Sequence, residues 1–505
     1  MLFRRHACRS ADSIRPSEVA RLTPIPFRCL CDSTCRSPRH IFRRCTGVQL
    51  FVSGSETPIR GELNIPVSKY HAHRALVLAS LAPGRSVVRG LSETRQVVWT
   101  VGVLRALGTR IDIDGDTYVV QGGRYHTRNH VVDHGSISDQ GILNVGSSGT
   151  TLYFMTGLAA LADRPITLTG MKYFRRRPIK ALLDSLGQLG VQYTAENDCP
   201  PITVQPENPA GGHVTIPGTL SQWLSGLLLL APFAEKETTV EVLGELNEQP
   251  YVELTVRMMR HWGLVVEHSD DWRTFTIPPG QTATATDYTI PPDIGSAAFG
   301  LAAAAIHPSD VLFRGLTATT SAETDHPEAE FLDLVAAMGL PLEHDEETGF
   351  VRVRHDGIEL SPLDIDCQPI PDLLPVLAAL ASFAHGTSRL RNVSHIRLKE
   401  SDRVNAMLQL NKLGGDLVDT GSELLITGVD SLRGAPMSSF NDHRVLMSLS
   451  VAATRADGES RLTYPRAYRI SYPTFLQAMT SVGLDLAITS LAGADKSRSE
   501  QALAS

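Results

Sequence analysis

Six times along the chain an apolar segment ends on a glycine: RALG at Gly108, GQLG at Gly190, RHWG at Gly263, AAMG at Gly339, NKLGG at Gly414 and TSVG at Gly483. The spacing is about 75 residues, so one supersecondary unit is used six times. Glycine just after the last apolar position suits the left-handed cap of a helix. The runs that follow, such as TRIDIDGDTYVVQ, LVVEHSD and DLAIT, have strand composition. Each unit also contains an earlier helix: HRALVLASLA, TTLYFMTGLAALA, SQWLSGLLLLAPFA, GSAAFGLAAAAI, LLPVLAALASFA and HRVLMSLSVAA. These are apolar on nearly every side, and such helices belong inside a core. The pattern predicts an α/β chain with helices inside and sheets outside.

A chain of 505 residues exceeds what one core accommodates, and six units divide into three and three. The turn-rich stretch Thr276 to Gly295, between the third and fourth units, is expected to carry a link between two lobes. The net charge of -7 argues against a nucleic-acid partner held by overall positive potential. Apolar runs such as LSGLLLLAPFA are too short to span a bilayer. Five of the seven cysteines (Cys8, Cys29, Cys31, Cys35, Cys45) fall in an Arg-rich, acid-poor head, residues 1–45. Three readings fit that head: an organellar transit peptide, a disordered extension, or sequence upstream of the true start. The remaining two, Cys199 and Cys367, suit a reducing compartment, and the expected location is cytoplasmic.

Polar residues recur where the core helices begin: Lys69 and Arg74, the GSSGTT of Gly146 to Thr151, Ser221 with Gln222, Asp293 with Ser296, Asp372, and the NDHR of Asn441 to Arg444. A single Asp293 or Ser221 reads as an ordinary N-cap. Caps need no cations, however, so Lys69, Arg74, His443 and Arg444 point to an anion site at helix N-termini. Two further clusters precede the second helices. In FRRRPIKALL, Pro178 at the first helical position would set Arg177 at a helix mouth. In RLKESDRV, the alternative to a site is a paired helical face formed by Lys399, Glu400, Asp402 and Arg403. Asp372 and Glu400 supply carboxylates for proton transfer.

The motifs PVSKYHAHRA, GSSGTT, RRRPI, SQWL, QPY, PDLLP, RLKESDR and NDHR, in this order, resemble the enolpyruvyl transferase family, in particular its 5-enolpyruvylshikimate-3-phosphate synthase group, from Val48 to about residue 488. The resemblance implies a two-lobed inside-out α/β barrel of six βαβαββ repeats, three per lobe, with buried helices. It places residues 68–288 in one lobe and residues 46–67 with 289–488 in the other, with 489–505 a flexible tail. It implies transfer of the carboxyvinyl group of phosphoenolpyruvate to an acceptor hydroxyl, with phosphate released, no metal and no organic cofactor, in a monomer. By the same resemblance Lys69, Arg177, Gln222, Arg403 and Arg444 hold phosphoenolpyruvate and His443 completes that side. Asp372 takes the acceptor proton and Glu400 shuttles a proton at the methylene carbon. The acceptor is expected against Tyr70, Arg74, Ser221, Gln222, Tyr251, Asp372, His395 and Lys399.

Departures from the family pattern gather on the acceptor side. The serine after the motif lysine is Tyr70, the first serine of the SSQ phosphate site is Leu220, an asparagine is His395, and an arginine is Tyr153. A late lysine on the donor side corresponds to Ile470. Added aromatic surface at Tyr70 and Tyr153 suggests a stacked base, so a nucleoside monophosphate such as UMP, as in antibiotic pathways, is the expected acceptor. The alternative is shikimate 3-phosphate. The relative using UDP-N-acetylglucosamine fits less well, since its reactive cysteine has no counterpart near KYFRRRP.

Overall fold

The computed structural model describes residues 47–91, 94–127, 142–177 and 179–490. The Arg-rich head, Pro178 and residues 491–505 lie outside the described residues. Six four-stranded sheets share one strand order. In one, Gly212–Pro217 runs parallel to Thr238–Leu243, which pairs antiparallel with Thr274–Ile277, itself paired with Glu267–His268. The helices Ser221–Leu230 and Gln249–His261 connect those strands, giving βαβαββ. The repeat read from the glycines is this unit. All six terminal glycines have positive φ: 95° at Gly108, 85° at Gly190, 74° at Gly263, 111° at Gly339, 94° at Gly414 and 101° at Gly483. The left-handed region is where glycine is favoured over other residues.

Two sets of buried apolar side chains form, one drawn from Tyr70 to Ile290 and the other from Leu50 to Leu63 together with Ile294 to Leu486. The core helices are their centres. Every residue of Lys69–Leu81 is buried, as is every residue of His443–Ala453. Small residues let these helices touch through their backbones. A Cβ on Gly226 would stand 2.7 Å from the Tyr153 carbonyl oxygen, so Gly149–Leu158 and Ser221–Leu230 pack closely there.

Three sheets borrow a strand from a distant part of the chain. Tyr288–Thr289 joins Gly84–Arg89, Ile59–Asn64 joins Ser309–Arg314, and Val48–Ser53 lies between Glu459–Leu462 and Asp485–Ser490. The chain passes between the lobes twice, side by side: Val67 bridges Pro292, Ser68 N–H donates to Pro291 O, and Asp293 N–H donates to Pro66 O, the last two both at 2.8 Å. The link expected within Thr276 to Gly295 is thus its last few residues. The rest stays with the first lobe, whose sheets include the end of Thr274–Ile277 and Tyr288–Thr289, the latter divided by the expected break at 289. Residues 489 and 490 are not tail but the end of a strand paired with Val48 and Gln49. Among the described residues no helix is long and apolar enough to cross a membrane.

Candidate active site

The N-termini of the core helices converge where the lobes meet, and side chains from both sides interlock there. Arg403 is the hub of the second lobe. Its Nη1 lies 2.7 Å from Asp372 Oδ1, Nη2 3.0 Å from Glu400 Oε2 and Nε 2.9 Å from Asp442 Oδ2. The paired-face alternative for this segment is thereby set aside: Arg403 reaches Glu400 three residues back, but its other partners come from distant chain. Arg444 Nη2 donates to the Tyr70 hydroxyl at 2.6 Å and lies 2.8 Å from Glu328 Oε1, while its Nη1 donates to the Asp372 carbonyl at 2.9 Å. The Tyr70 hydroxyl in turn donates to Asp372 Oδ2 at 2.7 Å, and the Tyr251 hydroxyl donates to Glu328 Oε1 at 3.1 Å. Lys399 Nζ pairs with Glu248 and stands 3.7 Å from Asp372 Oδ1.

Electrostatics follow from this enclosure. Burial opposes charge on Asp372, but Arg444, Lys399 and Arg403 outweigh it and hold the carboxyl well below the usual range. Glu400 behaves alike: burial raises its pKa, while Arg403 and then Arg177 bring it well down. Burial, and then Lys69, push His443 well below the ordinary histidine value, so its ring is neutral. Burial also lowers Lys69, aided by Arg444. Among the described residues the Lys69 ammonium makes no hydrogen bond or ion pair, and it lies 4.8 Å from the centre of the Tyr70 ring.

A second group sits beside Glu400. Arg177 lies 5.7 Å over the Tyr153 ring, and Gln222 Nε2 donates to Thr150 Oγ1 at 2.9 Å. A Cβ on Gly149 would be 3.5 Å from Arg177 Nη1 and 4.0 Å from Gln222 Oε1. The start of Gly149–Leu158, capped by Ser148, therefore opens beside a guanidinium and an amide, as an anion seat does. The helix near Arg177 starts at Lys180, so Arg177 precedes it rather than marking its mouth.

Several acceptor-side expectations need correction. Arg74 is buried and its donors are taken by Thr255 Oγ1 at 2.7 Å, Tyr70 O at 3.0 Å and Tyr251 O at 2.9 Å, so it ties helices together instead of facing a ligand. Tyr70 is 7% exposed and Tyr153 0% exposed, and neither offers a face to a base. Ser221 is the first residue of its helix rather than its cap, and both its N–H and its hydroxyl donate to Glu248. Asp293 is an N-cap as read, accepting from Ser296 N–H at 2.7 Å, and it also accepts from Lys69 N–H at 3.2 Å. His395 is buried beside Glu248 and Lys399.

Sequence reading missed Glu248 and Glu328, and it named Asp442 only within NDHR, without a role. The only local signal was an acid near a proline at a helix start, Glu248 before Pro250 and Glu328 after Pro327, which reads as capping. Asp293, His326 and Glu328 bring one possible ligand atom each within 4.8 Å of one another. However, His326 Nδ1 accepts the Glu328 N–H at 3.1 Å, which leaves its proton on Nε2, and Glu328 already faces Arg444. His326 and Glu328 thus brace the network, while Asp293 serves as a helix cap. A cavity of about 670 Å³ lined by Leu81, Tyr125, Asp163 and Phe233 opens at the opposite end of the first-lobe helices, away from this chemistry.

Gly295 is fixed by close approach. A Cβ there would fall 1.7 Å from Glu328 Oε2 and 2.8 Å from Arg444 Nη2. Gly295→Ala is expected to cost about 1–3 kcal/mol of stability by overpacking. It should also lower kcat/KM by disturbing the Arg444–Tyr70–Asp372 chain, both readable by denaturant titration and steady-state kinetics.

Comparison with known proteins places this arrangement. The family described as EPSP synthase (3-phosphoshikimate 1-carboxyvinyltransferase) matches residues 54–479. A 3-phosphoshikimate 1-carboxyvinyltransferase of Methanocorpusculum labreanum is 33% identical over 443 residues, 87% of this chain and 99% of the relative. One from Methanosarcina acetivorans is 34% identical over 441 residues, 86% of this chain and 98% of the relative. The solved EPSP synthase of Acinetobacter baumannii has the same fold, with a TM-score of 0.71 over 88% of this chain and all of that one, at 24% identity. With its six βαβαββ units and its cations and carboxylates gathered between two lobes, the chain belongs to the EPSP synthase family of enolpyruvyl transferases.

Proposed function

We propose that the chain transfers the carboxyvinyl group of phosphoenolpyruvate to a ring hydroxyl of a shikimate-ring acceptor, a small cyclic polyol or its phosphate ester. The observation that carries this reading is Asp372, a carboxylate held ionised between Arg403, Lys399 and Tyr70, with the unpaired Lys69 beside it. The relatives' names favour a shikimate-ring acceptor over a nucleotide. The burial of Tyr70 and Tyr153 removes the argument for a stacked base.

In this mechanism Lys69, Arg177, Gln222 and the Gly149 helix end hold the donor's phosphate and carboxylate. Bringing that anion beside Glu400 raises the affinity of Glu400 for a proton, which it delivers to the methylene carbon. The cationic carbon formed is attacked by the acceptor oxygen as Asp372 takes its proton. The tetrahedral adduct then loses phosphate as Glu400 recovers a proton from the methyl group. Arg403 and Arg444 keep both carboxylates aligned and face the departing charge.

The test is phosphate release from phosphoenolpyruvate with shikimate 3-phosphate, shikimate and UMP supplied separately. Release with a shikimate-ring acceptor and none with UMP is expected; release with UMP alone would overturn the reading. A pH series adds a second check. Lys69 holds the donor only while protonated, so activity is present below its pKa and is lost as pH rises through it. Because burial lowers that pKa, the alkaline limb of kcat/KM for phosphoenolpyruvate should fall below the ordinary lysine value of 10.5. Lys69→Arg should move the limb upward, since a guanidinium stays charged. A limb that does not move belongs to another group.

A further inference from the structure

The acceptor side contains an anion seat that the protein fills itself. The helix Ser221–Leu230 begins with a donor pair, the Ser221 N–H and hydroxyl, and Lys399 reaches the same point from the other lobe. A helix N-terminus, a hydroxyl and an ammonium together suit a phosphate group. Here the Glu248 carboxylate occupies them: Oε2 accepts from Ser221 N–H at 3.1 Å and from its hydroxyl, and Oε1 meets Lys399 Nζ. Glu248 is 2% exposed and its φ is +62°, a left-handed conformation uncommon for a residue with a side chain. Its N–H donates across the lobes to Gln368 O at 3.1 Å, which anchors it in that conformation.

The other cations nearby are also matched. Arg444 faces Glu328 and Tyr70, Arg403 faces Asp372, Glu400 and Asp442, and the Arg74 donors are taken by backbone and Thr255 oxygens. Lys69 and Arg74 have no ion pair among the described residues; Lys69 lies on the donor side, and the Arg74 donors are spent on neutral oxygens. A phosphate entering the seat of Ser221 and Lys399 would meet the Glu248 carboxylate already in it, with Glu328 a second buried carboxylate on the acceptor side. Burying a charge without a partner is strongly unfavourable, and like charges exclude the wrong ligand. An uncharged hydroxyl meets no such penalty. His395 Nε2, buried beside Glu248 and without a hydrogen-bond partner among the described residues, is one polar atom that can serve it.

We propose that Glu248 is a resident counter-anion in the acceptor seat, a specificity-determining residue that makes the unphosphorylated cyclic polyol, and not its phosphate ester, the acceptor presented to Asp372. This deepens the transferase reading above and rests on it.

The experiment compares shikimate with shikimate 3-phosphate, by phosphate release from phosphoenolpyruvate and by calorimetric binding, in the wild-type protein and in Glu248→Gln and Glu248→Asn. Gln keeps the volume without the charge, and Asn tolerates the left-handed backbone while shortening the side chain. In the wild type, kcat/KM for shikimate should exceed that for shikimate 3-phosphate by about 10²-fold or more. Both variants should tighten shikimate 3-phosphate binding at least tenfold relative to shikimate. Preference of the wild type for shikimate 3-phosphate, or its equally tight binding to wild type and variants, would overturn the role of Glu248. If neither acceptor releases phosphate in any of the proteins, the transferase reading for this acceptor class fails, while the binding titrations still decide the seat. Should the variants not fold, the wild-type preference between the two acceptors decides alone.

Discussion

Asp372→Asn is expected to lower kcat by about 10²- to 10⁴-fold, the range for losing a positioned base. The carboxylate accepts on both oxygens, from Arg403 at Oδ1 and from Tyr70 at Oδ2. An amide has one accepting oxygen, so one of those two donors would face an NH₂ group and the acceptor hydroxyl would lose its base. Phosphoenolpyruvate affinity should stay within a few fold of wild type, because Lys69, Arg177 and Gln222 are untouched. Rapid-quench measurement of the first turnover, together with donor binding by calorimetry, separates the two quantities. Full turnover in the variant would move the base to another residue.

Arg403→Ala is expected to destabilise the fold by about 3–5 kcal/mol, the cost of leaving buried charge without its partner. The guanidinium is 1% exposed and spans Asp372, Glu400 and Asp442, whose side chains are 12%, 27% and 0% exposed. Removing it leaves three carboxylates facing one another. Arg403→Lys should recover only part of the loss, since one ammonium cannot repeat the fork that reaches all three. Urea titration should show a lower midpoint with an unchanged slope. A loss below about 1 kcal/mol would mean that the site behaves as a solvated surface cluster.

How far the site could be read from sequence depended on the kind of signal. The six glycines gave the repeat because a left-handed helix end is a local requirement, and the apolar helices gave their own burial because no face was polar. Lys69, Asp372, Glu400, Arg403 and Arg444 were found as charged residues at helix starts, and the fold brings them together. Direction was not legible. Nothing local to HAHRA tells whether Arg74 points to a cleft or across to Thr255, and the identity of Tyr70 does not reveal that its hydroxyl, not its ring face, is the group in use. Glu248 lay beyond sequence reading for a related reason. Its partners Ser221 and Lys399 are 27 and 151 residues away, and its unusual backbone angle is imposed by that tertiary setting.

The interleaving of the two lobes bears on how a ribosome can deliver this molecule. Val48–Ser53 emerges first among the described strands, yet its partners Glu459–Leu462 and Asp485–Ser490 are among the last to be made. At about 5–20 residues per second, that wait is on the order of tens of seconds. During it the first lobe, from Tyr70 to Ile290, is complete in the nascent chain and can fold, while Leu50 and Val52 remain without the sheet that buries them. An orphaned apolar strand tethered ahead of a folded body is a target for holdase chaperones and a nucleus for misassembly, so the yield of this chain should depend on elongation rate far more than that of a protein whose neighbours in space are neighbours in time.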